Sequence, residues 1–121
     1  MATEVRKLVD AWFGKPDPNA EEPYLHYNLS ASDRLDELIE HSPEEAWSFI
    51  LEANSRPYSD KRRSMLAAGP LENLLGSHGE SLISRIEHES KSDPRFKALL
   101  LGVWQGRMTD PIWARVQALR K

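Results

Sequence analysis

The chain has no cysteine. Disulfide bridges, thiolate catalysis and cysteine-ligated zinc or iron–sulfur centres are therefore excluded from the outset. Long apolar runs are missing as well: the longest, Ala98 to Trp104, spans seven residues and includes Gly102. A membrane-spanning helix needs about 20. The first thirteen residues interleave Glu4, Arg6, Lys7 and Asp10 with apolar side chains, so no signal-peptide core is expected there. Glycine is scarce, six in 121 residues, and no Gly-x-Gly-x-x-Gly or P-loop occurs. The usual phosphate cradles are thus absent. The sequence also lacks a Gly-x-Ser-x-Gly elbow and a His-Glu-x-x-His helix, the signatures of a hydrolase nucleophile and of a zinc protease.

What remains is a 13.8 kDa chain with 40% hydrophobic and 29% charged residues, four Trp and eight Pro. It is too short for two separate cores, so one domain over 1–121 is expected. A chain of this size buries about two-thirds of its unfolded surface without a covalent staple. The composition fits neither a disordered nor a membrane protein, and a cytoplasmic location is the expectation.

The net charge of −3 conceals an asymmetry. Residues 1–60 carry five Lys/Arg against thirteen Asp/Glu, and residues 61–121 carry eleven against six, leaving −8 and +5. Such a split produces opposed surface fields that steer charged partners, unless the two halves neutralise each other locally.

Helical periodicity dominates the pattern. Val5, Leu8, Val9, Trp12 and Phe13 share one stripe, with Thr3 as a candidate N-cap. Gly14, Pro16 and Pro18 stop that helix and open a proline-rich linker over 14–29, in which Tyr24–Leu29 is ambiguous between strand and coil. Ser30 or Ser32 caps a second helix that turns Leu35, Leu38 and Ile39 inward. Ser42-Pro43-Glu44-Glu45 begins a third, with a hydroxyl cap, Pro in the first turn and two carboxylates at the positive end of the dipole. It buries Ala46, Trp47, Phe49, Ile50 and Ala53. A further helix follows Ser59 or Asp60, and Gly69-Pro70 predicts a break or sharp kink in it. Ser77-His78-Gly79 reads as a tight turn between helices. Beyond it, Leu82, Ile83 and Ile86 form a narrower stripe. After Asp93-Pro94, residues Phe96, Leu99, Leu100, Val103 and Trp104 form the clearest stripe of all, closed by Gly106. Asp110-Pro111 starts the last helix, with Ile112, Trp113, Val116 and Leu119 apolar. The expected fold is all-α, a compact bundle or short solenoid-like stack of six to seven antiparallel helices. Of the four Trp, Trp12 and Trp113 are expected to be the more exposed.

The segment from Ser42 to Trp113 carries Ala46-Trp47, Leu66-Ala67-Ala68-Gly69-Pro70-Leu71-Glu72, Leu74-Leu75 with His78-Gly79, Asp93-Pro94-Arg95-Phe96, Gly102-Val103-Trp104 and Ile112-Trp113. In these it resembles a small bacterial domain family of unknown function. The resemblance implies an all-helical domain of bacterial or phage origin and carries over no activity.

Tests for chemistry mostly fail. The four histidines, His26, His41, His78 and His88, include no pair at helical chelating distance, and Glu87-His88-Glu89 places consecutive side chains about 100° apart. No metal and no cofactor are expected. The cluster Lys61-Arg62-Arg63, with Arg34 and Arg56, reads as a solvated helix end, and direct binding to DNA or RNA is not expected. The carboxylates Asp33, Asp36, Glu37, Glu40, Glu44 and Glu45 lie on polar helix faces, where solvent keeps them ionised. They suit electrostatic docking of a basic partner. The expected function is therefore non-enzymatic: a protein-binding domain that occludes a partner through this acidic face, as immunity proteins and inhibitors do. The partner would be another protein, a basic toxin or nucleic-acid-binding effector. The alternative is a small enzyme or ligand-binding domain using Glu72, His78 and Arg85 near Gly69-Pro70. Ala67, Ala68, Gly69, Pro70, Glu72, His78 and Gly79 form a motif whose role the sequence leaves open.

Overall fold

The computed structural model describes residues 2–13 and 29–120. The linker expected over 14–29 lies outside the described residues except for Leu29, which begins a helix. Among the described residues there is no strand. The α-helices are α1 (Ala2–Phe13), α2 (Leu29–His41), α3 (Pro43–Ser55), α4 (Asp60–Leu66), α5 (Glu72–Ser92), α6 (Pro94–Leu100) and α7 (Asp110–Leu119), with a π-helical turn, Ala67–Leu71, joining α4 to α5. The fold is all-α.

Helix starts follow local chemistry. Pro43, Pro94 and Pro111 each occupy the first turn of a helix, where the missing N–H has no helical partner to lose. The Ser59 hydroxyl accepts from the Arg62 amide at 3.2 Å, and the Asp93 carboxylate accepts from the Arg95 amide at 2.9 Å. Thr109, rather than Asp110, is the residue ahead of α7. Ser42 precedes α3 without a side-chain cap bond. α1 and α2 both begin earlier than the hydroxyl caps expected for them, so Thr3, Ser30 and Ser32 lie inside helices.

Gly69-Pro70 does not break the helix. Ala67, Leu71 and Glu72 keep right-handed helical dihedrals, and the Glu72 N–H reaches back five residues to the Ala67 carbonyl. Pro70 cannot donate to the α-helical ladder, and in an α-turn its ring would press on the carbonyl four residues back. Widening one turn accommodates both problems while the axis continues. At Ser77-His78-Gly79, by contrast, helical geometry is interrupted as the sequence suggests: His78 has φ −136°, ψ 28°, so α5 consists of two helical segments meeting at a kink.

The stripes read from the sequence meet in one core. Trp12 packs edge-on to Phe49, with centroids 5.9 Å apart, and Trp47 packs edge-on to Phe96 at 5.6 Å. Leu35, Ile50, Leu66, Leu71, Leu74, Leu82, Ile86 and Leu99 fill the space between them and are fully buried. α1 lies on α3 and α2, while α5 touches α2, α3, α6 and α7. A solenoid repeat contacts only its neighbours, so this shared central helix makes the arrangement a bundle.

The α6 stripe ends early. The helix stops at Leu100, Val103 is buried on the following connection, and Trp104 faces solvent. Of the two tryptophans expected to be partly exposed, Trp12 is instead buried, whereas Trp113 is half-buried. Just past the helix end Gly102 packs against the π turn, where a Cβ on it would lie 2.9 Å from the Ala67 Cβ.

Candidate functional site

Helix α2 carries four carboxylates against one arginine. Leu35, Leu38 and Ile39 are buried, which turns Asp33, Asp36, Glu37 and Glu40 outward, and all four are exposed. At 100° per residue these carboxylates occupy one ridge along the helix. Arg34 donates to Glu37 at 2.9 Å, and His41 Nε2 lies 3.8 Å from Glu40. Asp33 and Asp36 have no ion-pair partner among the described residues.

Two clefts flank this ridge. On the side of Arg34 and Leu38, a groove of about 430 Å³ is lined by Val5, Leu8, Ala11 and Leu38, with Lys7 and Arg34 balancing Glu4 and Glu45. On the side of Leu35 and Asp36, a cleft of about 400 Å³ is bounded by Trp12, Met65, Pro70 and Asn73. Ala68 and Gly69 open onto this second cleft, and a Cβ on Gly69 would meet nothing within 4 Å. The small residues of the motif therefore leave space at the surface, while Ala67, Pro70 and Leu71 are buried.

Glu44 belongs elsewhere. Arg85 holds it with two hydrogen bonds, of 2.5 and 2.7 Å. The Arg85 guanidinium keeps the Glu44 carboxyl below the ordinary carboxylate range. This pair joins the acidic and basic halves of the chain. Arg6–Glu52 and Arg56–Glu52 stay within the first half, and Arg115–Glu87 within the second.

The residues proposed for catalysis are not gathered. Glu72 Oε1 accepts from the Trp104 amide at 2.9 Å, so this carboxylate caps a loop. Arg85 is committed to Glu44. His78 lies at the α5 kink, beside a 290 Å³ cleft that Gly79, Ser77, Thr109 and Ile112 also line, and its Nε2 is buried without a hydrogen-bond partner among the described residues. Gly79 packs against Ile112, where a Cβ would come within 3.0 Å. No group of three His, Asp or Glu among the described residues is placed to hold a metal.

The basic cluster also disperses. Arg62 is buried and donates to the Trp12 carbonyl at 3.4 Å, and Arg63 pairs with Asp60 at 3.1 Å. Arg34 pairs with Glu37, and Arg56 pairs with Asp10. No helix among the described residues is long and apolar enough to cross a membrane.

Sequence reasoning missed the exposed pair Leu101 and Trp104. The available signal was Gly102: a glycine within a periodic stripe can mark the helix end, after which the stripe no longer predicts burial.

Residues 19–121 match the model of a family of unknown function (DUF6869), and the chain belongs to that family. The match spans α2 to α7 and leaves α1 outside. Neither the curated proteins nor the solved structures include a match.

Proposed function

We propose that this DUF6869 member is a non-enzymatic protein-binding domain that docks a basic partner on the acidic ridge of α2 and acts by covering the partner's working surface. The observation that carries this reading is the ridge itself: Asp33, Asp36, Glu37 and Glu40 are exposed on one helix face, Asp33 and Asp36 without an ion-pair partner among the described residues, and a cleft lies on either side. Carboxylates set in this way raise the encounter rate with a cationic surface, and the adjoining clefts supply places for apolar anchors that slow dissociation. Glu45 borders one cleft together with Lys7 and Arg34, and Glu44 is neutralised by Arg85. The partner class that fits is a protein with a basic face, such as a toxin or nucleic-acid-binding effector. The domain would work in the manner of an immunity protein or phage inhibitor in a bacterial cytoplasm. Polyanionic nucleic acid would be repelled by the same ridge.

The test is a comparison of association kinetics once a partner has been captured and identified. The chain with Asp33→Lys, Asp36→Lys, Glu37→Lys and Glu40→Lys should associate about tenfold or more slowly at low salt, and its rate should lose most of its dependence on ionic strength. Equal rates and equal salt dependence for parent and variant would dismiss the ridge as the docking site.

A further inference from the structure

Leu101 and Trp104 are the large apolar side chains that the described residues leave in solvent, with 58% and 72% of their surface accessible. They sit on the connection between α6 and α7, and that connection is fixed along its length. The amides of Leu101, Gly102 and Val103 donate to the carbonyls of Ala98, Leu99 and Leu100. Glu72 accepts from the Trp104 amide. Arg120 donates to the carbonyls of Leu101 at 3.0 Å and Val103 at 3.2 Å, while its guanidinium lies over the Trp113 ring. Gly106 completes the turn at φ +51°, a backbone region that other residues adopt only with strain, with the Glu72 carboxylate packed against it. Buried Val103 and Met108 anchor either side. A loop determined in so many ways loses little entropy when something binds to it. It nevertheless points an indole outward, where the hydrophobic effect gains nothing.

We propose that Leu101 and Trp104 form a second docking surface, which takes an acidic protein segment bearing an apolar anchor. The charge around it selects that chemistry. Residues 94–120 hold Arg95, Lys97, Arg107, Arg115 and Arg120 against Asp110 alone. Arg115 is paired with Glu87, and Asp110 accepts from Gln105. Lys97, one helical turn before Leu101, has no carboxylate partner among the described residues, and neither does Arg107, which donates to the Ser77 hydroxyl. The carboxylate at the base of the loop is Glu72, and one of its oxygens is occupied by the Trp104 amide. Arg95 faces the Tyr58 ring and the Arg56 carbonyl instead, so the cations on this side are Arg120, bonded to the loop itself, with Lys97 and Arg107 close by in the chain. An indole and a leucine beside such cations match the composition of protein hot spots. Single-stranded nucleic acid is held by successive aromatic platforms along a basic groove, and here one aromatic stands beside an aliphatic. The surface is built on a different segment from the α2 ridge and takes the opposite charge.

The test pans a display library of short random peptides against the full chain, then measures the enriched peptides by calorimetry on the parent, Trp104→Ala and Lys97→Glu. Enriched sequences should place Asp or Glu beside an apolar residue. Their affinity should fall about tenfold or more on Trp104→Ala and several-fold on Lys97→Glu. Both variants should melt with the parent, since both side chains are exposed. Basic peptides captured by the α2 ridge should keep their affinity for Trp104→Ala, which separates failure of this proposal from failure of the ridge. Enrichment without acidic bias, or acidic peptides indifferent to Trp104→Ala, would overturn it. So would a Trp104-dependent preference for single-stranded oligonucleotides, or Trp104-dependent self-association in sedimentation in place of peptide binding.

Discussion

Trp47 shows how one side chain joins sequence pattern to stability. It is buried on α3, meets Phe96 of α6 edge-on, and so links two elements far apart in the chain. Trp47→Ala removes that ring contact and leaves a cavity, and should cost about 3–5 kcal/mol in chemical denaturation. Glu37→Ala, on the exposed face of α2, loses a surface pair with Arg34 and should stay within about 0.5 kcal/mol of the parent. Similar urea midpoints for the two variants would contradict this placement of α3. The contrast was legible beforehand, because Trp47 shares the periodic stripe of Phe49, Ile50 and Ala53 while Glu37 stands opposite Leu35 and Ile39. Other residues were not legible. Arg85 and Glu44 are 41 positions apart, and nothing local announces that they meet. Glu72 belonged to the enzymatic or ligand-binding alternative, yet its partner is a backbone amide 32 residues away.

At the scale of elements, the contact between the π turn and the α6–α7 connection governs more than its size suggests. Gly102 has no room for a side chain because the Ala67 methyl occupies the space. Gly102→Ala should therefore destabilise the fold by about 1–3 kcal/mol through overpacking. Ala67→Gly combined with it should restore part of that loss, even though Ala67→Gly alone is unfavourable in a helix. Thermal denaturation of the four proteins of this cycle measures the coupling, and strict additivity would mean that the two positions do not press on each other. Helix existence was readable from the Ser-Pro and Asp-Pro starts and from the stripes. The π turn was not, because Gly-Pro in a sequence signals interruption and only the continuing burial of Leu66, Ala67 and Leu71 keeps the axis running. The end of α6 was misread because the apolar periodicity persists to Trp104 although the helix stops at Leu100, two residues before Gly102 packs on Ala67. The ridge of α2 could be read from spacing and charge, whereas its two flanking clefts could not, since each is built from several elements.

For the molecule as a whole, the carboxylates held by arginines and hydroxyls shape the response to acid. Glu52 is held below the ordinary carboxylate range by the Ser55 hydroxyl, with Arg6 and Arg56 adding to the effect. Glu87 is held below it by Arg115, and Glu44 by Arg85. A carboxyl with a lowered folded-state pKa contributes stability that is present above its unfolded value and is lost as pH falls through the folded value. These three groups should therefore add no pH dependence between about pH 5 and 8 and should weaken the fold below about pH 4. Urea midpoints followed down the acid range should fall less steeply for Glu52→Gln combined with Glu87→Gln than for the parent. An unchanged slope would place the acid sensitivity in other groups.

The tryptophans offer a practical handle on this architecture. Trp12 and Trp47 are shielded inside the bundle, Trp113 is partly covered, and Trp104 stands in water. A collisional quencher such as acrylamide should dim the Trp104 emission first and leave the interior signal largely intact. The rim of the α6–α7 connection could thus be watched optically, without a dye or label, while the core reports separately on whether the protein is still folded.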